Sequence, residues 1–235
     1  MLGRALESVL GRLDPATCVL CGAPCHAGLD LCPGCYRELP HNLHRCQRCG
    51  LPLPSDAPLV ALCGPCQRRP PPFDACYAPL RYEDPVPALI GGAKFRSRLE
   101  LTRLLGQCLA RALYEHGAEI PGVILPVPLH PRRLRERGYN QALEIARAAS
   151  RELGVPCDGG CCERVLATAP QAGLQQKERR RNVRGAFRVI RPPAAGHVAV
   201  LDDVVTTGST VAELARVLRK AGVERIDVWA VARTP

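Results

Sequence analysis

Beyond residue 120 the chain alternates between two hydrophobic periods. The run 123–127 (VILPV) is continuously apolar, as a strand buried on both faces requires. Ala142, Ile145, Ala146, Ala149 and Leu153 then recur at helical spacing until Gly154 and Pro156 stop them. A short apolar strand over 198–201 follows. Val211, Leu214, Ala215, Leu218 and Ala221 mark a second helix, ended by Gly222, and 226–231 reads as the last strand. Strands alternating with amphipathic helices predict an α/β fold, a parallel sheet flanked by helices.

The first part of the chain lacks this rhythm. Leu2, Leu6, Val9, Leu10 and Leu13 fall on one side of a helix predicted over 1–14, whose apolar face packs on its own module or meets a partner or membrane surface. Arg4, Glu7 and Arg12 interrupt it, so it is not read as a secretory signal. From 15 to 72 there is no long apolar period, and Pro and Gly abound. Arg68-Arg69-Pro70-Pro71-Pro72 closes the segment, and proline there favours stiff, extended backbone. The organisation expected is a helix over 1–14, a cysteine module over 15–72 and the α/β domain over 73–235. No stretch approaches the roughly 18 apolar residues that span a bilayer, and the expected location is the cytoplasm.

Ten of the fourteen cysteines precede residue 80. Eight form C-x-x-C pairs: Cys18/Cys21, Cys32/Cys35, Cys46/Cys49 and Cys63/Cys66. A tight turn between two such cysteines aims both sulfurs at one centre, and two turns complete the tetrahedral S4 site that zinc prefers. A disulfide framework does not suit the cytosol, and four pairs exceed what one redox centre uses. Two structural zinc ions are expected. The simplest pairing puts Cys18, Cys21, Cys32 and Cys35 on one and Cys46, Cys49, Cys63 and Cys66 on the other; an interleaved pairing is the alternative. Cys25, His26, His41 and His44 read as bystanders. With few large apolar residues, the module depends on metal for its stability.

The formal net charge is +10, falling to roughly +6 once eight thiolates and two zinc ions are counted. A basic protein favours anionic partners such as nucleic acid, phosphorylated metabolites or membrane surfaces. Arg132, Arg133, Arg135 and Arg137 form one cluster, and Lys177, Arg179, Arg180, Arg181, Arg184 and Arg188 another. They would stabilise phosphate charge, contact a nucleic-acid backbone or simply face solvent. Aromatic content of 4% argues against a stacking platform.

The stretch 197–210 (HVAVLDDVVTTGST) concentrates the chemistry. An apolar strand runs into Asp202 and Asp203, then into a hydroxyl-rich loop that opens a helix. Backbone amides and the helix dipole at that point favour a phosphate. Thr206, Thr207, Ser209 and Thr210 add hydroxyl donors, and Gly208 lets the backbone close around the anion. The two acids would repel a bare phosphate, so they suit ribose hydroxyls, with Mg2+. Together these features describe a ribose 5-phosphate site. Rival nucleotide motifs, the Walker loop and G-x-G, are missing from the sequence.

Residues 200–210 resemble the 5-phosphoribosyl-1-pyrophosphate (PRPP) motif of type I phosphoribosyltransferases. The whole chain resembles the ComF/GntX family, on the cysteine ribbons, Ala93-Lys94-Phe95, 126–133 (PVPLHPRR), Arg137-Gly138-Tyr139-Asn140-Gln141, Gln171-Ala172-Gly173-Leu174, Glu178-Arg179 and Asn182-Val183. The resemblance implies a type I phosphoribosyltransferase-like sheet behind a double zinc ribbon. It implies that Asp202 and Asp203, the catalytic candidates, meet the ribose hydroxyls of PRPP with Mg2+. Thr206, Thr207, Gly208, Ser209 and Thr210 would hold its 5-phosphate. Leu129, His130, Arg132 and Arg133 would lie on the pyrophosphate loop, and Lys177 on a closing loop over 171–182 that excludes water.

The same resemblance implies a role in DNA uptake during natural transformation, or in DNA utilization. Single-stranded DNA and a competence or helicase protein would be its partners, met at the cytoplasmic face of the inner membrane. Two alternatives stand beside it. One is an active phosphoribosyltransferase, a glycosyltransferase acting on an unidentified nitrogen acceptor. The other is a regulator that senses PRPP.

Overall fold

The computed structural model describes residues 17–25, 28–58, 60–95, 98–167 and 181–235. By packing, the chain forms two compact units, Met1–Leu39 and Pro40–Pro235. In the first, Thr17 and Pro24 form an antiparallel bridge. The Cys18 amide donates to Ala23 O and the Gly22 amide to Cys18 O, both at 2.8 Å, closing a tight knuckle around Cys18 and Cys21. Helix α1 (Pro33–Glu38) starts at Cys32, whose Sγ accepts from the Cys35 amide at 3.4 Å. Proline in that first turn lacks a donor where none is needed.

The second unit opens on the same plan. Arg45 bridges to Pro52. The Cys46 amide donates to Leu51 O at 2.9 Å and the Gly50 amide to Cys46 O at 2.8 Å. Helix α2 (Gly64–Arg68) starts at Cys63, again with proline in the first turn. The two cysteine segments are therefore structural repeats. The second is built into the sheet unit. Asn42, 2% exposed, donates through Nδ2 to Gly50 O at 2.9 Å and Ala78 O at 3.0 Å. Arg48 donates to Asp74 O at 2.9 Å. Gly50 has φ 68°, and a Cβ there would come within 3.0 Å of Cys76 Sγ, so the turn and the close approach both require glycine.

The sheet is parallel. Strands β1 (Ala75–Tyr77) and β2 (Leu80–Arg81) pair with β7 (Arg225–Arg233), β7 with β6 (His197–Val205), and β6 with β3 (Val123–Pro126). β3 is buried throughout, and so is β7 from Ile226 onward, as strands covered on both faces must be. Strands β4 (Cys162–Arg164) and β5 (Phe187–Val189) form a separate antiparallel pair. Among the described residues the unit also has helices α3 (Val86–Phe95), α4 (Leu99–Glu115), α5 (Pro131–Arg137), α6 (Gln141–Leu153) and α7 (Ser209–Lys220). Helix α4 packs against α6, and the approach is closest at Gly106, where a Cβ would come within 2.5 Å of Ala148 Cβ and 2.6 Å of Ile145 O. Helix α6 is capped by Asn140, whose Oδ1 accepts from the Ala142 amide at 3.1 Å, and ends at left-handed Gly154.

This is the fold class expected from the sequence, a parallel sheet flanked by helices, preceded along the chain by a cysteine-rich module. Three strands differ in length from the expectation, β3 ending at Pro126, one residue short. β6 runs on from Leu201 to Val205, because β7 supplies partners as far as Arg233 and the acids stand at the open end of the pair. β7 likewise extends to Arg225 and Arg233. The predicted helix over 1–14, His26 and Lys177 lie outside the described residues. So does the loop over 171–182 apart from its last two positions. Among the described residues no helix is long and apolar enough to cross a membrane.

Candidate functional site

The sulfurs of Cys18, Cys21, Cys32 and Cys35 lie within 4.8 Å of one another, as do those of Cys46, Cys49, Cys63 and Cys66. Cys21 and Cys32 are 3.8 Å apart, Cys49 and Cys63 3.6 Å. A thiolate tetrahedron about 2.3 Å from zinc has edges of about 3.8 Å, so both sets have the size that holds the ion. The pairing is sequential, not interleaved. Cys25, His41 and His44 join neither set. Burial raises the Cys18 thiol, but backbone hydrogen bonds from Cys32, Cys21 and Leu20 outweigh it and bring it down to about 6. Cys46 repeats this balance, burial being overcome by backbone hydrogen bonds from Cys63, Cys49 and Arg48, and falls to about 7. In each repeat one sulfur is thus shifted toward the thiolate form that binds metal.

The second centre lies at the carboxyl end of β6. Asp202 Oδ1 accepts from the Asp203 amide at 2.9 Å, and Asp203 Oδ1 from the Val204 amide at 2.8 Å. Asp203 Oδ2 lies 3.5 Å from Lys94 Nζ at the end of α3. Both acids are half-buried rather than sealed, and Asp203 alone has this ion pair. Burial first, then the Asp203 charge, pushes the Asp202 carboxyl well above the usual carboxylate range; Lys94 opposes this more weakly. The neighbouring loop turns at Gly208, φ 73°, and opens the 12-residue α7. Thr207 Oγ1 lies 2.8 Å from Ser209 Oγ and accepts from the Ser209 amide at 3.4 Å. Thr206, Thr207, Gly208, Ser209 and Thr210 therefore surround a helix start, where partial positive charge and amide donors suit an anion.

β3 is the parallel neighbour of β6, and the Val127 amide donates to Leu201 O at 2.8 Å. The segment carrying Leu129 and His130 thus leaves the sheet at the same carboxyl edge as Asp202, the position where open α/β sheets take ligands. His130 caps α5 by accepting from the Arg132 amide at 3.2 Å. Arg132 pairs with Glu136 at 3.0 Å and is largely exposed. Arg133 lies close enough to Arg164 to lower its guanidinium, after burial, while Asp202 raises it. Arg164 sits over the Phe187 ring, 5.5 Å from its centroid. Lys94 and Arg164 are additions that the sequence did not assign to the site. Lys94 carried a signal only as part of the Ala93-Lys94-Phe95 resemblance, and Arg164 carried none.

A pair of four-cysteine ribbons with a parallel sheet and an acid pair at the sheet's edge defines a double-zinc-ribbon α/β protein. Residues 9–68 match the double zinc ribbon domain family. The chain is 37% identical over 227 residues to the DNA utilization protein YhgH of Salmonella typhimurium, covering 94% of this chain and 98% of that one. It is 35% identical over 224 residues to competence protein F of Haemophilus influenzae, covering 92% and 96%. It is also similar to the glutamine PRPP amidotransferase of B. subtilis, with 21% identity and TM-score 0.37. That match covers 55% of this chain and 26% of that one. Likeness to a purine phosphoribosyltransferase of Pyrococcus horikoshii has 19% identity and TM-score 0.33, over 56% and 80%. The chain belongs to the ComF/GntX family, as its likeness to YhgH and competence protein F over nearly its whole length establishes.

Proposed function

We propose that this protein binds PRPP with Mg2+ at the carboxyl edge of β6 and serves DNA uptake or utilization by handling single-stranded DNA. The carrying observation is one juxtaposition: two half-buried acids stand directly before a hydroxyl loop at the start of α7. Asp202 and Asp203 would receive the ribose hydroxyls and the cation, and residues 206–210 the 5-phosphate. The metal sites would be structural, every ligand position being taken by sulfur. The names of the relatives, DNA utilization protein and competence protein F, support the DNA role, and so does the basic balance. Its place would be the cytoplasmic face of the inner membrane, reached through competence or helicase partners.

Calorimetric titration with PRPP and Mg2+ tests the first part. Binding by the parent and its near loss in Asp202→Ala/Asp203→Ala is the expected result; equal heats from both proteins reject it. Single-stranded DNA affinity should fall steeply with salt, because phosphate contacts release counterions. A second reading, displacement of pyrophosphate by a nitrogen nucleophile, is favoured by Arg164, a cation near enough to Asp202 to feel its charge, with Arg133 near Arg164 in turn, where leaving-group charge would build. Pyrophosphate release across a panel of nucleobases decides it.

A further inference from the structure

Arg233 ends β7, in register with Val205 of β6, and is 7% exposed. Its guanidinium is shared between two places. Nε donates to Cys49 O at 3.2 Å. Nη1 donates to Val205 O at 3.2 Å, to Thr206 O and to Thr234 O at 2.7 Å. Cys49 belongs to the second sulfur site, and Val205 and Thr206 begin the anion loop. One rigid planar group therefore holds the backbone of both.

A buried guanidinium needs opposite charge nearby. None of the acceptors of Arg233 is a carboxylate: they are backbone carbonyls and the Thr234 hydroxyl. The sulfur site whose Cys49 carbonyl it holds would supply opposite charge beside it, since four thiolates around one zinc ion carry a net charge of about −2. An arginine that merely capped carbonyls at a strand end would have no reason to choose a metal ligand's carbonyl as well. Lysine could not fill the place, since one ammonium cannot span Cys49 O and Thr206 O as a planar fork does.

We propose that Arg233 is a positioning residue that couples metal occupancy of the Cys46/Cys49/Cys63/Cys66 site to the order of loop 206–210. Loss of that metal frees Cys49, withdraws the counter-charge of Arg233 and loosens the loop; where the loop holds the 5-phosphate of PRPP, affinity falls with it. That last clause rests on the function proposed above. Coupling of this kind is reciprocal, so occupancy of the loop must in turn retain the metal.

Hydrogen exchange of the full chain without any ligand tests the coupling alone. Chelation of zinc should speed exchange of amides 206–210 about tenfold while amides 199–201 of β6 stay protected. Zinc-loaded Arg233→Gln should show the same rise, and Arg233→Lys, which keeps the charge but reaches fewer carbonyls, a smaller one. Unchanged loop exchange after chelation or in Arg233→Gln overturns the proposal, and so does a rise that spreads equally to 199–201, which marks simple loss of fold. Zinc release to a chromogenic chelator is then followed in Cys18→Ser/Cys21→Ser, where the second site reports alone. PRPP with Mg2+ should raise the zinc affinity of that site, read from the equilibrium competition with the chelator, by the factor by which zinc tightens PRPP, and in Arg233→Gln the effect should vanish. If exchange behaves as expected but PRPP changes nothing, PRPP binding fails and the coupling stands.

Discussion

At the scale of the residue, the protonation of Asp202 ties the candidate site to pH. Burial and the Asp203 charge make the folded carboxyl hold its proton more tightly than the unfolded chain does. The resulting stabilisation is fully present below the ordinary carboxylate range, about pH 4, and is lost as pH rises from there through the raised folded value. Asp202→Asn removes the dependence, so its advantage in urea midpoint over wild type should grow with pH across that window; a constant difference contradicts the assignment. The same proton must leave if Asp202 is to receive a cation. Calorimetry in buffers of different ionisation enthalpy should detect its release when PRPP and Mg2+ bind, and none in Asp202→Asn. Asp202, Asp203 and the hydroxyl loop were legible in the sequence because they are contiguous. Lys94 stands 109 positions before Asp203, and only the fold brings the two within 3.5 Å.

At the scale of the element, the turn between β6 and α7 is the most sensitive joint. Gly208 occupies the left-handed region, where a Cβ collides with its own following carbonyl. Gly208→Ala should cost about 1–2 kcal/mol in denaturant unfolding and weaken PRPP binding beyond that of a control substitution on the exposed face of α7. An unchanged midpoint would mean that the turn relaxes freely. Helices α6 and α7 were readable because their buried positions recur on one face. The stripe of α4, from Leu101 through Leu113, is equally regular, yet it was not among the helices read from the sequence. β1, β2, β4 and β5, of two or three residues each, were not readable: their identity comes from distant partners, as Ala75 gains Asp227. The length of β6 was missed for a related reason. Charge at Asp202 and Asp203 ends an apolar run in the sequence, whereas the pairing with β7 ends at Arg233.

At the scale of the whole molecule, the sulfur sites set the response to acid. The Cys18 and Cys46 thiols, at about 6 and about 7, lie below the ordinary thiol range, so their contribution is present above that range and is lost as pH falls through the folded values. Bound zinc competes with protons and moves the loss to lower pH. Stepwise acidification should release zinc, and melting of the sheet unit should drop as the second site empties, since Asn42, Arg48 and Gly50 join that repeat to the sheet. Zinc loss without any change in melting would show that the repeat adds nothing to the sheet. β7 has one more consequence. It lies between β1 and β6, yet it is the last strand along the chain. Asp74 waits for the amide of Ile226 across 152 positions. During synthesis, a nascent chain that has not yet delivered 225–233 leaves β1 and β2 as bare edges, the state in which a chaperone has most to protect.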